Sequence, residues 1–220
     1  MHASNSQVRA RRAAYTALAA SLLCAAVAGP ARADGADDAA PDQMILQLST
    51  QVLEEIRGDK AIQAGDFARV EKLVNERILP RVDFDKMTRL TVGRPWRAAT
   101  PEQRSALTEE FRNLLMRTYS GALSKVSDQK VRLRPSHGQD GASDVIVRTQ
   151  IVASQGDPVA LDYRLEKTPA GWKIYDLNIL GVWLVENYKS EFLEPLNQGG
   201  VDNLIKVLKE KNRKVVAAKS

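Results

Sequence analysis

Cysteine is all but missing from this chain. The single one, Cys24, falls inside an N-terminal apolar segment that reads as a cleaved leader, so the mature protein is expected to have no thiol, no disulfide and no soft metal ligand. Histidine is nearly as rare. Of two, only His137 would remain, in the polar stretch Pro135-Ser136-His137-Gly138, where a solvated loop position is expected rather than the shielded cleft of a Ser-His-acid triad. Carboxylates are then the only metal ligands in supply, and Asp34, Asp37 and Asp38 crowd into an Ala/Asp/Gly stretch with no spaced calcium loop. A phosphate-cradling loop is absent too, since Gly199-Gly200 follows a helical pattern and has no lysine-serine or lysine-threonine continuation. No catalytic residue, no metal and no cofactor are expected.

Basic excess is the next shortage. Arg9, Arg11 and Arg12 precede an apolar run from Ala13 to Gly29, and Ala31-Arg32-Ala33 then offers a small-x-small cleavage site. This order predicts a signal peptide at residues 1–33, export to the periplasm and a mature chain that begins at Asp34. The run is dominated by alanine and shorter than the roughly 20 residues of a spanning helix. Residues 1–33 hold four arginines and no acid, so 32 basic residues fall to 28 against 27 acidic ones, a net of +1. Nucleic acid is excluded as a partner on that balance. The remaining length suits one domain able to bury a core without cross-links.

What is present is amphipathic pattern. Residues 34–41 read as a flexible lead-in, 42–212 as a single domain and 213–220 as a C-terminal tail. Met44, Ile45, Leu48, Val52, Leu53 and Ile56 recur at helical spacing up to Gly58, and Phe67, Val70, Leu73, Val74 and Ile78 do so up to Pro80. Asp83 is placed to cap a short helix with Phe84, Met87 and Leu90. Thr100-Pro101-Glu102-Gln103 is a capping box opening a long helix with Leu107, Phe111, Leu114, Leu115, Met116, Tyr119 and Leu123 on its apolar side.

After Ser127 the period becomes two. Four strands are expected, around Val131 and Leu133, Val145 to Ile151, Val159 to Leu165, and Trp172 to Ile179, with turns at Gln139-Asp140-Gly141, Gly156-Asp157-Pro158 and Pro169-Ala170-Gly171. Gly181 is expected to open a helix to about Asn197, and Gly199-Gly200 to separate one more, Val201 to Lys211. The fold class is α+β, with an antiparallel four-stranded twisted sheet packed by helices. Asp176 interrupts the last apolar strand. An acid there either faces solvent or takes backbone donors at a strand end, or else serves as an isolated base.

Several dispersed blocks together resemble a known family. They are Ile78-Leu79-Pro80-Arg81-Val82-Asp83-Phe84; Val92-Gly93-Arg94-Pro95-Trp96 through Arg104, with Phe111, Leu115, Tyr119 and Leu123 following; and Gly171 to Asp176, Gly181-Val182, Val185, Asn187-Tyr188, Phe192 and Gly199-Gly200-Val201. In that order and spacing, from about Leu46 to Asn212, the chain resembles the MlaC family, the periplasmic phospholipid-binding component of the Mla (maintenance of lipid asymmetry) system, also called the toluene-tolerance auxiliary family.

The resemblance implies an NTF2-like sheet and helices enclosing a lipid cavity, with phospholipid as the carried ligand and the head group near solvent. It implies two partners, an outer-membrane lipoprotein-porin complex and an inner-membrane ABC transporter with a substrate-binding ring. It implies no catalysis, although a non-carrier envelope adaptor and a lipid hydrolase stay open as alternatives. Combined with the face periodicities, it nominates as lipid-binding Met87, Leu90, Trp96, Phe111, Leu115, Tyr119, Val147, Thr149, Tyr163, Leu165, Val182, Trp183, Val185 and Tyr188. At Trp183 the chain departs from the family, where a small residue is usual, and the indole is expected to fill part of the cavity or cover its mouth.

Overall fold

The computed structural model describes residues 40–135 and 141–217, with side chains as far as 214. The expected leader at 1–33, the expected lead-in up to Ala39, His137 and most of the expected Gln139-Asp140-Gly141 turn lie outside the described residues. Among the described residues, six helices precede and follow a five-stranded sheet. α1 is Pro41–Gly58, α2 Lys60–Gln63 and α3 Phe67–Leu73, which runs on into a π-helical turn at Val74–Ile78 and a 3-10 turn at Leu79–Arg81. α4 is Phe84–Val92, followed by a 3-10 turn at Arg94–Arg97, and α5 is Pro101–Leu123. The strands are β1 Lys130–Leu133, β2 Asp144–Val152, β3 Val159–Thr168, β4 Gly171–Ile179 and β5 Val182–Trp183. α6 spans Leu184–Ala217.

Local chemistry sets the helix starts. Asp83 accepts the backbone N–H of Lys86 at 2.8 Å and caps α4. Thr100 and Gln103 form the expected reciprocal box: Thr100 Oγ1 accepts from Gln103 N at 3.2 Å, and Gln103 Oε1 accepts from Thr100 N at 2.9 Å. This places the N-terminus of the longest uninterrupted helix beside the 79–85 segment.

The sheet is an antiparallel meander in the order β1-β2-β3-β4-β5, so the expected four strands are joined by a fifth. The fifth arises at Gly181. Leu180 and Gly181 both take positive φ, 53° and 91°, which is the two-residue turn that closes a tight hairpin, and Val182 pairs back with Ile179. Gly181 therefore closes a hairpin rather than opening a helix, and α6 begins three residues later. A bulge falls between the pairs Arg164↔Asp176 and Leu165↔Ile174, leaving Tyr175 unpaired in β4.

α6 is broken where expected. Gly200 adopts φ 65°, ψ −156°, a region only glycine occupies without strain, and this turns the second half so that Leu204 and Leu208 return to the interior. Helix continues to Ala217, so residues 213–217 of the expected C-terminal tail extend α6. Asn212 Nδ2 holds that end against α5, donating to Glu110 O at 3.0 Å and Glu110 Oε2 at 2.7 Å. The lead-in also ends earlier than expected, because Pro41 takes the first helical position of α1, where its missing N–H costs nothing.

Three apolar clusters form the interior. A sheet core packs Met44 and Ile45 of α1 on Val145, Val147, Tyr163, Leu165, Trp172 and Ile174. A helical core joins α4, α5 and α6 through Met87, Leu107, Phe111, Leu184, Tyr188, Phe192, Leu204 and Leu208. The third lies between α1, α2, α3 and α5. Each fully buried Leu or Phe contributes about 1.5–3 kcal/mol.

Candidate functional site

The nominated residues separate into two of these clusters. Met87, Trp96, Phe111, Leu115, Val185 and Tyr188 belong to the helical core, with Tyr119 packed at its margin. Phe111 meets Tyr188 edge-on at 5.0 Å between ring centroids and Phe192 at 5.3 Å. Val147, Tyr163 and Leu165 belong to the sheet core, where Val147 and Tyr163 are register partners. Thr149 is fully buried beside them and hides its hydroxyl by donating to Leu161 O at 2.6 Å.

Two residues that the periodicity did not nominate connect the cores. Val82 and Leu177 each pack against both. Val82 lies in an irregular segment and reaches the sheet through one parallel bridge to Ile174, while Asp83 N donates to Ile174 O at 2.8 Å. A single valine between a 3-10 turn and a helix cap has no period to betray it. Thr88 and Thr91 were also missed. Both are buried on α4 because each hydroxyl donates to the carbonyl one turn back, Phe84 O and Met87 O, leaving a methyl to face the core.

Three nominated residues are placed elsewhere. Leu90 is exposed, since the inner side of α4 is taken by Met87, Thr88, Thr91 and Val92. Val182 is half exposed at the end of the sheet, in the short strand that the Leu180-Gly181 turn creates. Trp183 pairs with Asn178, whose partner on β3 is Asp162, one same-face step along the sheet from the Arg164 and Asp176 pair and on the face opposite Tyr163 and Leu177. Its indole lies under the Arg164 guanidinium at 4.0 Å, outside both cores.

Asp176 is wholly buried and takes structural donors. Its Oδ1 accepts Leu177 N at 2.9 Å and Val185 N at 3.0 Å, in the first turn of α6, and Oδ2 accepts from Arg164 Nη1 at 3.0 Å. Burial pushes this carboxyl above the usual range, opposed by the two backbone donors and Arg164. The residue thus fastens β4 to α6. Burial also lifts the hydroxyl of Tyr188 to about 12, helped by neighbouring Tyr119 and Glu191.

Between the 79–85 segment and one face of α5 lies a cleft of about 700 Å³. Leu79, Val82, Phe84 and Pro101 supply its apolar surface, and Arg104, Ser105, Thr108, Glu109 and Arg112 of α5 face them, with Asp85 opposite. Val82 and Phe84, at its floor, are also packed against the helical core. Among the described residues, no group of three metal-ligating side chains occurs and no helix is long and apolar enough to cross a membrane.

Comparison with known proteins follows the same span. The family model described as MlaC protein matches residues 46–210, three quarters of the chain. The chain belongs to the MlaC family. Among curated MlaC relatives, the intermembrane phospholipid transport system binding protein MlaC of Haemophilus influenzae is 23% identical over 171 residues, covering 76% of this chain and 80% of that protein. Toluene tolerance protein ttg2D of Pseudomonas putida is 23% identical over 163 residues, covering 74% and 75%. A solved phospholipid-binding protein from Ralstonia solanacearum, in complex with a phospholipid, is 41% identical with a TM-score of 0.78, covering 81% of this chain and 99% of its own. The span shared with the MlaC model contains the helical core, the sheet core apart from Met44 and Ile45, the Val82 and Leu177 contacts and the cleft.

Proposed function

We propose that this chain is a periplasmic phospholipid carrier that hides acyl chains in its interior and passes them between membranes without chemical change. The observation that carries the reading is the 41% identical relative whose structure, shared over almost all of its length, was solved with a phospholipid bound. Physical chemistry agrees with it. A free phospholipid exposes its chains at about 0.8 kcal/mol per CH₂, so a soluble carrier must cover them. The helical and sheet cores, touching jointly at Val82 and Leu177, offer a continuous apolar path in which the nominated Phe111, Leu115, Tyr119, Val147, Tyr163, Leu165, Val185 and Tyr188 would meet the chains.

The leader directs the protein to the periplasm, and delivery involves an outer-membrane lipoprotein-porin complex and an inner-membrane ABC transporter. A near-neutral mature charge suits release, because a strongly basic carrier would linger on anionic membranes. Native mass spectrometry of freshly purified protein tests the reading. Intact co-purified phospholipid is the expected result. Lysolipid or fatty acid would point to a hydrolase, and an unliganded mass to an adaptor with a solid core.

A further inference from the structure

The α5 face of the cleft differs in one respect from the other helical surfaces around it. Thr88, Thr91 and Thr118 each donate their hydroxyl to the carbonyl four residues back, at 2.7, 2.8 and 2.7 Å. Thr108 does not. Its Oγ1 is buried without a hydrogen-bond partner, and so is Nε of Arg112, one turn further along the same helix face. Leaving such groups unpaired forfeits their hydration without return, the more so for a charged one. Both residues line the cleft, where a turn of either side chain presents its covered donor to an acceptor with several oxygens.

Arg104, a turn before Thr108, adds positive charge but has its own task. It donates to Trp96 O at 3.1 Å and Arg97 O at 3.2 Å, which fixes the 3-10 turn at the end of α4. The rim carries the opposite sign, with exposed carboxylates at Asp85 and Glu109. Cations with donors inside and carboxylates outside make a surface of two signs, and the floor of Val82 and Phe84 leads from it directly to the helical core.

We propose that this cleft is a head-group site for a zwitterionic phosphodiester lipid. The phosphate accepts hydrogen bonds from Thr108 Oγ1 and Arg112 Nε, the ammonium lies toward Asp85 and Glu109, and the chains enter past Val82 and Phe84. This rests on the carrier reading above and adds to it a place and a preference for the head group. A bare phosphate ion offers the same acceptor oxygens, but it lacks the ammonium and the chains that the acidic rim and apolar floor address.

The test loads wild-type protein and a Thr108→Val/Arg112→Gln variant from vesicles of phosphatidylethanolamine or phosphatidylglycerol, or with oleic acid, and measures uptake by native mass spectrometry. Inorganic phosphate alone is titrated in parallel. The variant should take up about tenfold less phosphatidylethanolamine, equivalent to about 1.4 kcal/mol, with oleic acid uptake unchanged. Equal phosphatidylethanolamine uptake by the two proteins overturns the proposal, as does an equal loss of oleic acid, which would place the defect in the interior. Inorganic phosphate binding that depends on Arg112 while lipid uptake does not would make the cleft an ion site and overturn it too. An Asp85→Asn/Glu109→Gln variant should shift uptake toward phosphatidylglycerol, and an unshifted ratio refutes the zwitterion preference. If wild type takes up no phospholipid from either vesicle, the carrier reading itself fails.

Discussion

The guanidinium of Arg164 lies 4.0 Å from the ring centroid of Trp183 while its Nη1 donates to Asp176. One arginine thus joins the indole that the family pattern made unusual to the acid that interrupts the last apolar strand. All three side chains stand on the sheet face away from Tyr163 and Leu177.

Trp183→Ser should therefore leave the acyl-chain composition of bound lipid unchanged. The stacked cation loses its ring, at a cost of about 0.5–2 kcal/mol read as a lower urea midpoint. A shift of the recovered lipids toward longer or more numerous chains would return the indole to the cavity or its mouth, as the family resemblance implied.

Asp176→Leu should cost about 3–5 kcal/mol, because it leaves Val185 N, Leu177 N and the Arg164 charge without their acceptor. Asp176→Asn keeps an acceptor and should cost less. Burial raises the native carboxyl above the ordinary aspartate value of 3.8, so the folded state holds its proton more tightly than the unfolded chain does. That contribution is complete below 3.8 and is lost as pH rises through the folded value. Urea midpoints of wild type minus Asp176→Asn, from about pH 3 to about pH 6, should fall with rising pH.

Val147→Glu puts a carboxyl among Tyr163, Leu165 and Ile174 in the sheet core. It should lower stability by several kcal/mol and abolish co-purification of phospholipid. Because the buried acid is tolerated only when neutral, acidification should recover part of the stability. A variant that keeps wild-type midpoint and lipid would remove Val147 from the lipid-facing set.

Alkali offers a fourth measurement. Beyond residue 33 the chain has four tyrosines, Tyr119, Tyr163, Tyr175 and Tyr188, and burial is the first cause of a raised pKa at each. The unfolded chain ionises near the ordinary tyrosine value of 10.0, so stability should fall as pH rises from there toward the folded values, about 12 for Tyr188. Tyrosinate absorbance of protein lacking residues 1–33 should stay low at about pH 10 and rise together with loss of structure. A full-amplitude titration at the ordinary value with the fold intact would contradict these burials.

Periodicity was enough to locate most helices and the four long strands, because a 3.6-residue or two-residue repeat is a property of one segment and its apolar side. The Thr100-Gln103 box and the Gly199-Gly200 break were legible for the same reason: each is a backbone requirement satisfied within a few residues. Six of the helical-core candidates and three in the sheet core were legible as apolar faces, though not as members of separate clusters.

Tertiary structure decided what pairs distant segments. Trp183 faces Arg164 because the positive-φ turn at Leu180-Gly181 adds a fifth strand and reverses the chain, which no hydropathy pattern records. Asp176 is a tie to α6 because Val185 N, nine residues away, points at it. Val82 and Leu177 touch both cores, and Thr108 and Arg112 have unpaired donors in a cleft, only once the 79–85 segment is laid against α5 and the sheet. Those are relations between elements, and they exist only when the elements have packed.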